Sequence, residues 1–214
     1  MRIRNANHFI HAIGDEFSWR HKELMDIRLL TRGSNAVTQR VLIRAGVPLA
    51  YAHWEGFVKA SSELLLNYVS NQGLQNKELS DVYFTHSVKT HVAQFLGSAK
   101  AISATDAACF VRDSAERKAE IRHKNYVDTA SNLSSDVFEQ IACSLGVNLE
   151  PYRHLFPYIN ETILNNRNKI AHGEFVEVSM SDFHDLINRV SDLVRMYKTD
   201  LENVVVRNQF KVAA

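Results

Sequence analysis

PLAYAHWEGFVKASSELLLNYVS, residues 48–70, reads as the core-facing body of a long helix, with Trp54, Phe57 and Val58 directed inward. The preceding VTQRVLIRAG extends the pattern, so the helix is expected from about Ala36 to near Gln72, where Asn71-Gln72-Gly73 reads as a stop. Pro48 removes one backbone donor, which predicts a kink or break near Gly46-Val47-Pro48. Upstream, Asp15 to Arg32 reads as a helix with Phe17, Leu24, Ile27 and Leu30 on one stripe. Gly33 ends it, and Ser34 or Asn35 can cap the next. Residues 1–14 show no clear period and read as a loose arm.

Downstream, a helix is expected over Asp81 to Leu96. Thr105 is placed to cap a further one, DAACFVRDSAERKAEIRHKNYV, whose second half is strongly charged, with Asp113–Arg117 attractive and Glu116–Glu120 repulsive at a spacing of four. VDTASNLSSD is a loop, after which Ser134 or Ser135 caps a short helix ended by Gly146. Pro151 opens a helical region that continues to Gly173, with Tyr158, Ile163, Leu164 and Ile170 apolar. Ser179 or Ser181 caps the last helix. Its Phe183, Leu186, Ile187, Val190, Leu193, Val194 and Tyr197 keep a period near 3.6. With only 8 Gly and 3 Pro, the chain favours long helices over many short strands. The fold class is all-α, and 214 residues fit one domain, 1–214, around one helical core.

The composition, 45% hydrophobic and 23% charged, is that of an ordinary globular chain, and the net charge of +1 excludes a generic basic nucleic-acid coat. Charge is uneven: residues 1–44 hold eight Lys/Arg against four acids. Cys109 and Cys143 sit in apolar helical patterns and read as buried free thiols, suited to a reducing cytoplasm. There is no zinc-ligand spacing, no signal-peptide run at the N-terminus and no apolar stretch of membrane-spanning length. The expectation is a cytoplasmic protein without membrane contact, metal or cofactor.

One stretch concentrates chemistry: Asn166-Arg167-Asn168-Lys169-Ile170-Ala171-His172-Gly173. With 15 Arg and 10 His, an Arg-x4-His pair arises by chance about 0.7 times in such a chain. Requiring one of the 16 Asn after the Arg lowers that to about 0.05, so Asn168 carries the specificity. Arginine offers fixed donors to phosphate oxygens, and histidine titrates near neutrality. RNA cleavage by its own 2′-hydroxyl needs a base, an acid and cationic donors on the phosphate, and needs no metal. On a regular helix, residues five apart diverge by about 140°. Arg167 and His172 therefore share a site only if the arginine reaches round, the helix unwinds at His172, or two copies of the motif meet across a dimer. The bland alternative is a polar helix end whose side chains cap carbonyls.

RNKIAHG, Arg167 to Gly173, resembles the Arg-polar-x-x-x-His motif of the HEPN superfamily. Pro48 to Val69 and Ser131 to Val147 are similar to blocks that precede that motif in a stand-alone bacterial HEPN branch, so the resemblance spans roughly residues 20–205. It implies a HEPN-type bundle with up-and-down core helices and additional helices, which dimerises with two motifs facing one cleft. It further implies a metal-independent endoribonuclease, with Arg167 and His172 catalytic and Asn168 supporting, serving as a toxin or phage-defence effector. The implied partners are RNA, a second copy, and an antitoxin or other defence protein. Some members only bind nucleotide or protein, which is the alternative reading.

Two other clusters stand out. Glu55 and Lys59, four apart, form either a surface ion pair or a carboxylate that orients the motif with its neighbouring lysine. Arg117, Lys118, Arg122, His123 and Lys124 form the densest basic run, either a solvated face or a contact for an RNA backbone.

Overall fold

A computed structural model describes residues 2–96 and 101–213. In chain order the elements are α1 (Ala6–Gly33), α2 (Ala36–Ser70), a 3-10 turn (Asn76–Glu78), α3 (Asp81–Leu96), α4 (Ala101–Asp113), α5 (Ser135–Cys143), α6 (Glu150–Arg153), α7 (Phe156–Tyr158), a π-helical segment (Ile159–Leu164), α8 (Asn165–Ala171) and α9 (Met180–Val206). Among the described residues there is no strand, only the isolated bridges Gln75–Lys118 and Leu79–Lys211. The all-α expectation holds, with an up-and-down core.

The core is built by α1, α2 and α9, which pack pairwise. The turn between α1 and α2 is only two residues long, Ser34-Asn35, so the two helices are antiparallel neighbours. Asn35 starts α2 by accepting from the backbone N–H groups of Val37 and Thr38. Cross-links set the direction of α9. His21 and Arg28 of α1 bond to Ser191 and Asn188, in reverse order, while Ser62 of α2 meets Tyr197 and Gly46 meets Phe183. Thus α9 runs against α1 and alongside α2. Its whole expected stripe, from Phe183 to Tyr197, is buried. The Ser179 cap forms as a reciprocal pair with Asp182.

Four expectations are corrected. First, residues 1–14 are not a loose arm. Asn5 caps α1 by accepting from the His8 N–H, Phe9, Ala12 and Ile13 enter the core, and Ile3 is fully buried with its N–H on Asn67 Oδ1 at 3.2 Å. Second, of the kink or break expected at Pro48, the break does not occur: α2 runs for 35 residues through it. The lost hydrogen bond is outweighed because Val47, Ala50 and Tyr51 are buried around it. Gly46 lets the Phe183 ring lie so close that an added Cβ would come within 2.5 Å of it.

Third, the charged helix expected beyond Thr105 stops at Asp113, and Thr105 lies inside α4 rather than at its cap. The sequence past Asp113 has good helix formers, but the fold takes their backbone elsewhere. Asn76 donates to the Ser114 and Arg117 carbonyls, Lys77 N–H to Ala115, and Ala119 N–H to Leu74. Residues 114–134 therefore form an irregular strap. Fourth, the thiols are not both buried, since Cys143 is exposed and Cys109 half-buried; both are free. No described helix is long and apolar enough to cross a membrane.

Candidate active site

The motif lies at the end of a continuous helical rod from Phe156 to Ala171. The π-helical turn over Ile159–Leu164 ends three residues before Arg167. Such wide turns rotate the downstream residues relative to a regular helix and are frequent at functional sites. His172 is the C-cap, with φ −84° and ψ 6°, and Gly173 takes φ +81°, a left-handed conformation that suits glycine. His172 thus sits where the helix unwinds, one of the three ways open to it on sequence grounds.

Arg167 is held from several sides. Its Nη1 donates to Asn132 Oδ1 (2.7 Å) and to Asn168 Oδ1 (2.6 Å), and its Nη2 to the Ser131 carbonyl (3.1 Å). Its guanidinium lies 4.2 Å from the centre of the Tyr51 ring. Three of five N–H donors are used, which leaves Nε–H and one Nη2–H for an anion. Asn168 therefore has a definite place: it orients the arginine rather than facing outward.

The holding surface is the C-terminal end of the strap. Ala130 and Ser131 adopt φ +54° and +58°, left-handed values uncommon for non-glycine residues. They are kept there by the Asp128 carboxylate, which accepts from Ala130 N–H, and by Asn132 N–H on the Thr129 carbonyl. Leu133 N–H donates to the Tyr51 hydroxyl at 2.6 Å, and Ser135 and Asn160 exchange hydrogen bonds across to the π-helical segment. Backbone strain of this kind persists where surrounding contacts over-determine it.

Glu55 is placed beside this assembly. Its Oε1 accepts from Thr129 Oγ1 at 2.7 Å, one turn along α2 from Tyr51. Burial, together with the neighbouring Glu55 carboxylate, pushes the Tyr51 phenol up to about 12, against the partial relief of the Leu133 N–H and the Arg167 cation. Tyr51 is therefore a neutral phenol at physiological pH. Glu55 reaches Arg167 through Tyr51 and the strap. Lys59 is exposed and makes no ion pair with Glu55. The His172 side chain is exposed and has no hydrogen bond among the described residues.

The basic run is divided. Lys118, Arg122, His123 and Lys124 line two clefts at the far end of α2, whereas Arg117 stacks on the Phe110 ring at 5.3 Å. Among the described residues, no group of three or more His, Cys, Asp or Glu side chains gathers as metal ligands.

Sequence reasoning missed Tyr51, Ser131 and Asn132. A signal for the first was available: Tyr51, Glu55, Lys59, Glu63, Asn67 and Asn71 recur every fourth residue, a polar ridge on an otherwise apolar helix. The strap covers that ridge. Tyr126 N–H meets Glu63, Thr129 meets Glu55 and Leu133 N–H meets Tyr51.

No curated protein and no solved structure matches the chain. Among protein families, RiboL-PSP-HEPN matches over residues 15–203, from within α1 almost to the end of α9. With the match covering the three core helices, the strap and the motif alike, the chain belongs to the RiboL-PSP-HEPN family of HEPN proteins.

Proposed function

We propose that the protein is an endoribonuclease that cleaves RNA by transesterification. In this reading Arg167 binds the scissile phosphate through its two uncommitted N–H donors and stabilises the charge that builds on it. Asn168 keeps the guanidinium in place. His172 moves the proton: as base it takes the 2′-hydroxyl proton while the 2′-oxygen bonds to phosphorus, or as acid it protonates the departing 5′-oxygen. The products are a 2′,3′-cyclic phosphate and a 5′-hydroxyl end. No step requires a metal ion.

The observation that carries this reading is the immobilised Arg167. Three hydrogen bonds and an aromatic stack keep one edge of a cation open, which is the preorganisation that transition-state stabilisation needs. One imidazole cannot serve as base and acid in the same instant, so the site is half of a composite one. Its other half comes from a second copy. The surface beside His172 suits such a partner. Phe175 is 87% exposed, and with Val41, Ile43 and Val178 it lines an open cavity of about 640 Å3.

The test is to incubate wild type and His172→Ala with tRNA and messenger RNA in EDTA and to analyse the ends. Cleavage to cyclic phosphates by wild type alone is expected. RNA bound but left intact by wild type would replace the enzyme with a non-catalytic binding module. Growth arrest on expression, relieved by His172→Ala, is expected of a toxin or defence effector.

A further inference from the structure

At the end of α2 remote from Arg167, two clefts of about 720 and 290 Å3 share Arg2, Ser70 and Asn71. Arg122, His123 and Lys124 line the first, Arg4 and Lys118 the second. The cations come from two places for one reason. Ile3 is buried under α2, so its neighbours Arg2 and Arg4 are turned outward, while Ala119 N–H on Leu74 O and the Gln75–Lys118 bridge bring the strap alongside. Arg2, Arg4, Lys118, Arg122 and Lys124 are all exposed, and among the described residues no carboxylate forms an ion pair with any of them. The acids nearby are accounted for: Glu63 accepts from Tyr126 N–H, and Glu116 is paired with Lys77. Glu120 is the one exposed acid within the run.

One strap of chain links these clefts to the motif. The strap that carries Lys118, Arg122 and Lys124 runs back along the polar ridge of α2, through Tyr126 at Glu63 and Thr129 at Glu55, and ends by gripping Arg167 with Ser131 and Asn132. Lys59 lies on the same ridge, between the two glutamates, with no acid partner among the described residues. From Tyr51 to Asn71 the ridge is about 30 Å long at 1.5 Å per residue. That matches on the order of ten nucleotide steps.

We propose that the Arg2/Arg4/Lys118/Arg122/Lys124 clefts are a phosphate-binding exosite for RNA. The backbone of a long RNA is led from them along the strap, past Lys59, to Arg167. The inference rests on the nuclease reading for the direction of travel, and its test is separable from that reading. Binding is measured on the His172→Ala protein, with and without Arg122→Gln and Lys124→Gln. The probes are a fluorescent RNA of about 30 nucleotides and one of about six. The exosite requires the double substitution to weaken the long RNA by tenfold or more and to flatten its salt slope by about 1.4, two phosphates' worth for a single strand. The short RNA, held at Arg167 alone, is bound unchanged. In the His172 background the same pair of changes raises KM for the long RNA and leaves kcat alone. An unchanged affinity and salt slope for the long RNA overturns the exosite even if the protein cleaves. A flattened slope in a protein that never cleaves keeps the exosite and removes the nuclease. Both variants alter exposed side chains, and an unchanged far-ultraviolet spectrum with equal loss on both RNAs would also count against the track.

Discussion

Arg167 and His172 stand five residues apart in one motif and are treated in opposite ways by the fold. The arginine is gripped by Ser131, Asn132, Asn168 and Tyr51, three of which lie outside its own helix. The histidine, at the frayed end of α8, is exposed and touched by no side-chain hydrogen bond among the described residues. A phosphate-binding cation gains from being fixed in advance, since its donors must already face the developing charge. A proton-transfer group can be fixed when the site closes, by substrate or by a second copy. Under the proposed nuclease reading, that difference makes one chain the source of a finished anion site and an unfinished acid–base site.

That asymmetry separates the two alanine variants. His172→Ala is expected to lower cleavage by about 10²- to 10⁴-fold, the range for a lost general acid or base. Its melting temperature should match wild type, since nothing in the fold leans on the side chain. Arg167→Ala is expected to lower cleavage by about 10²- to 10³-fold and also to destabilise the protein by about 0.5–1.5 kcal/mol, because its hydrogen bonds to Asn132 Oδ1 and the Ser131 carbonyl are lost. Equal thermal stability in the two variants would break the comparison.

The unfinished half is tested at Phe175. If the exposed ring next to His172 seats a second copy, Phe175→Ser is expected to shift the protein from dimer to monomer in sedimentation and to reduce cleavage by roughly tenfold or more at low protein concentration. The fold should be unaffected, because the side chain is already 87% exposed. The finished half is tested at Tyr51. Tyr51→Phe keeps the ring under the guanidinium but removes the acceptor for the Leu133 N–H, leaving a buried donor unpaired at about 1–3 kcal/mol. Cleavage should fall several-fold through misplacement of Arg167.

Sequence and fold agree where local and tertiary preferences coincide. The α9 stripe from Phe183 to Tyr197, the Ser134 and Ser179 caps and the α3 span were legible because helical period and capping chemistry are local. The motif was legible through Asn168, although its job of steering Arg167 was not. What escaped was decided at a distance. AERKAEIRHK is good helix sequence, yet Asn76, Lys77 and Leu74 capture its backbone and draw it out as the strap. Residues 2–4 carry no periodicity, because one buried isoleucine and the Asn67 amide suffice to anchor them. Ser131 and Asn132 could not be singled out, since their roles depend on backbone angles that nothing in a polar loop sequence specifies.

The smallest effect concerns the strap at its middle. His86 Nε2 lies 2.6 Å from the Ser144 carbonyl, so that nitrogen carries the proton, and Nδ1 accepts from the Tyr126 hydroxyl at 3.1 Å. Burial, aided by Lys89 and opposed by the Ser144 carbonyl, lowers the His86 imidazole below its ordinary 6.5. A histidine lowered on folding contributes stability that is complete above the unfolded value and is lost as pH falls from about 6.5 through the folded value, because the unfolded chain takes up the proton first. His53, buried against Glu23, shifts the same way and adds to the slope. Melting measured at about pH 7.5 and about pH 5.5 should therefore show lower stability in acid, with His86→Gln removing part of the difference. Protonation also converts Nδ1 into a donor and breaks its bond from Tyr126, four residues before Ala130. Local hydrogen exchange at Ala130 and Leu133 should rise in acid in the wild type and not in His86→Gln, while exchange around His172 stays the same in both. A pH response at His172 equal to that at Leu133 would show that the two halves of the motif are not held independently.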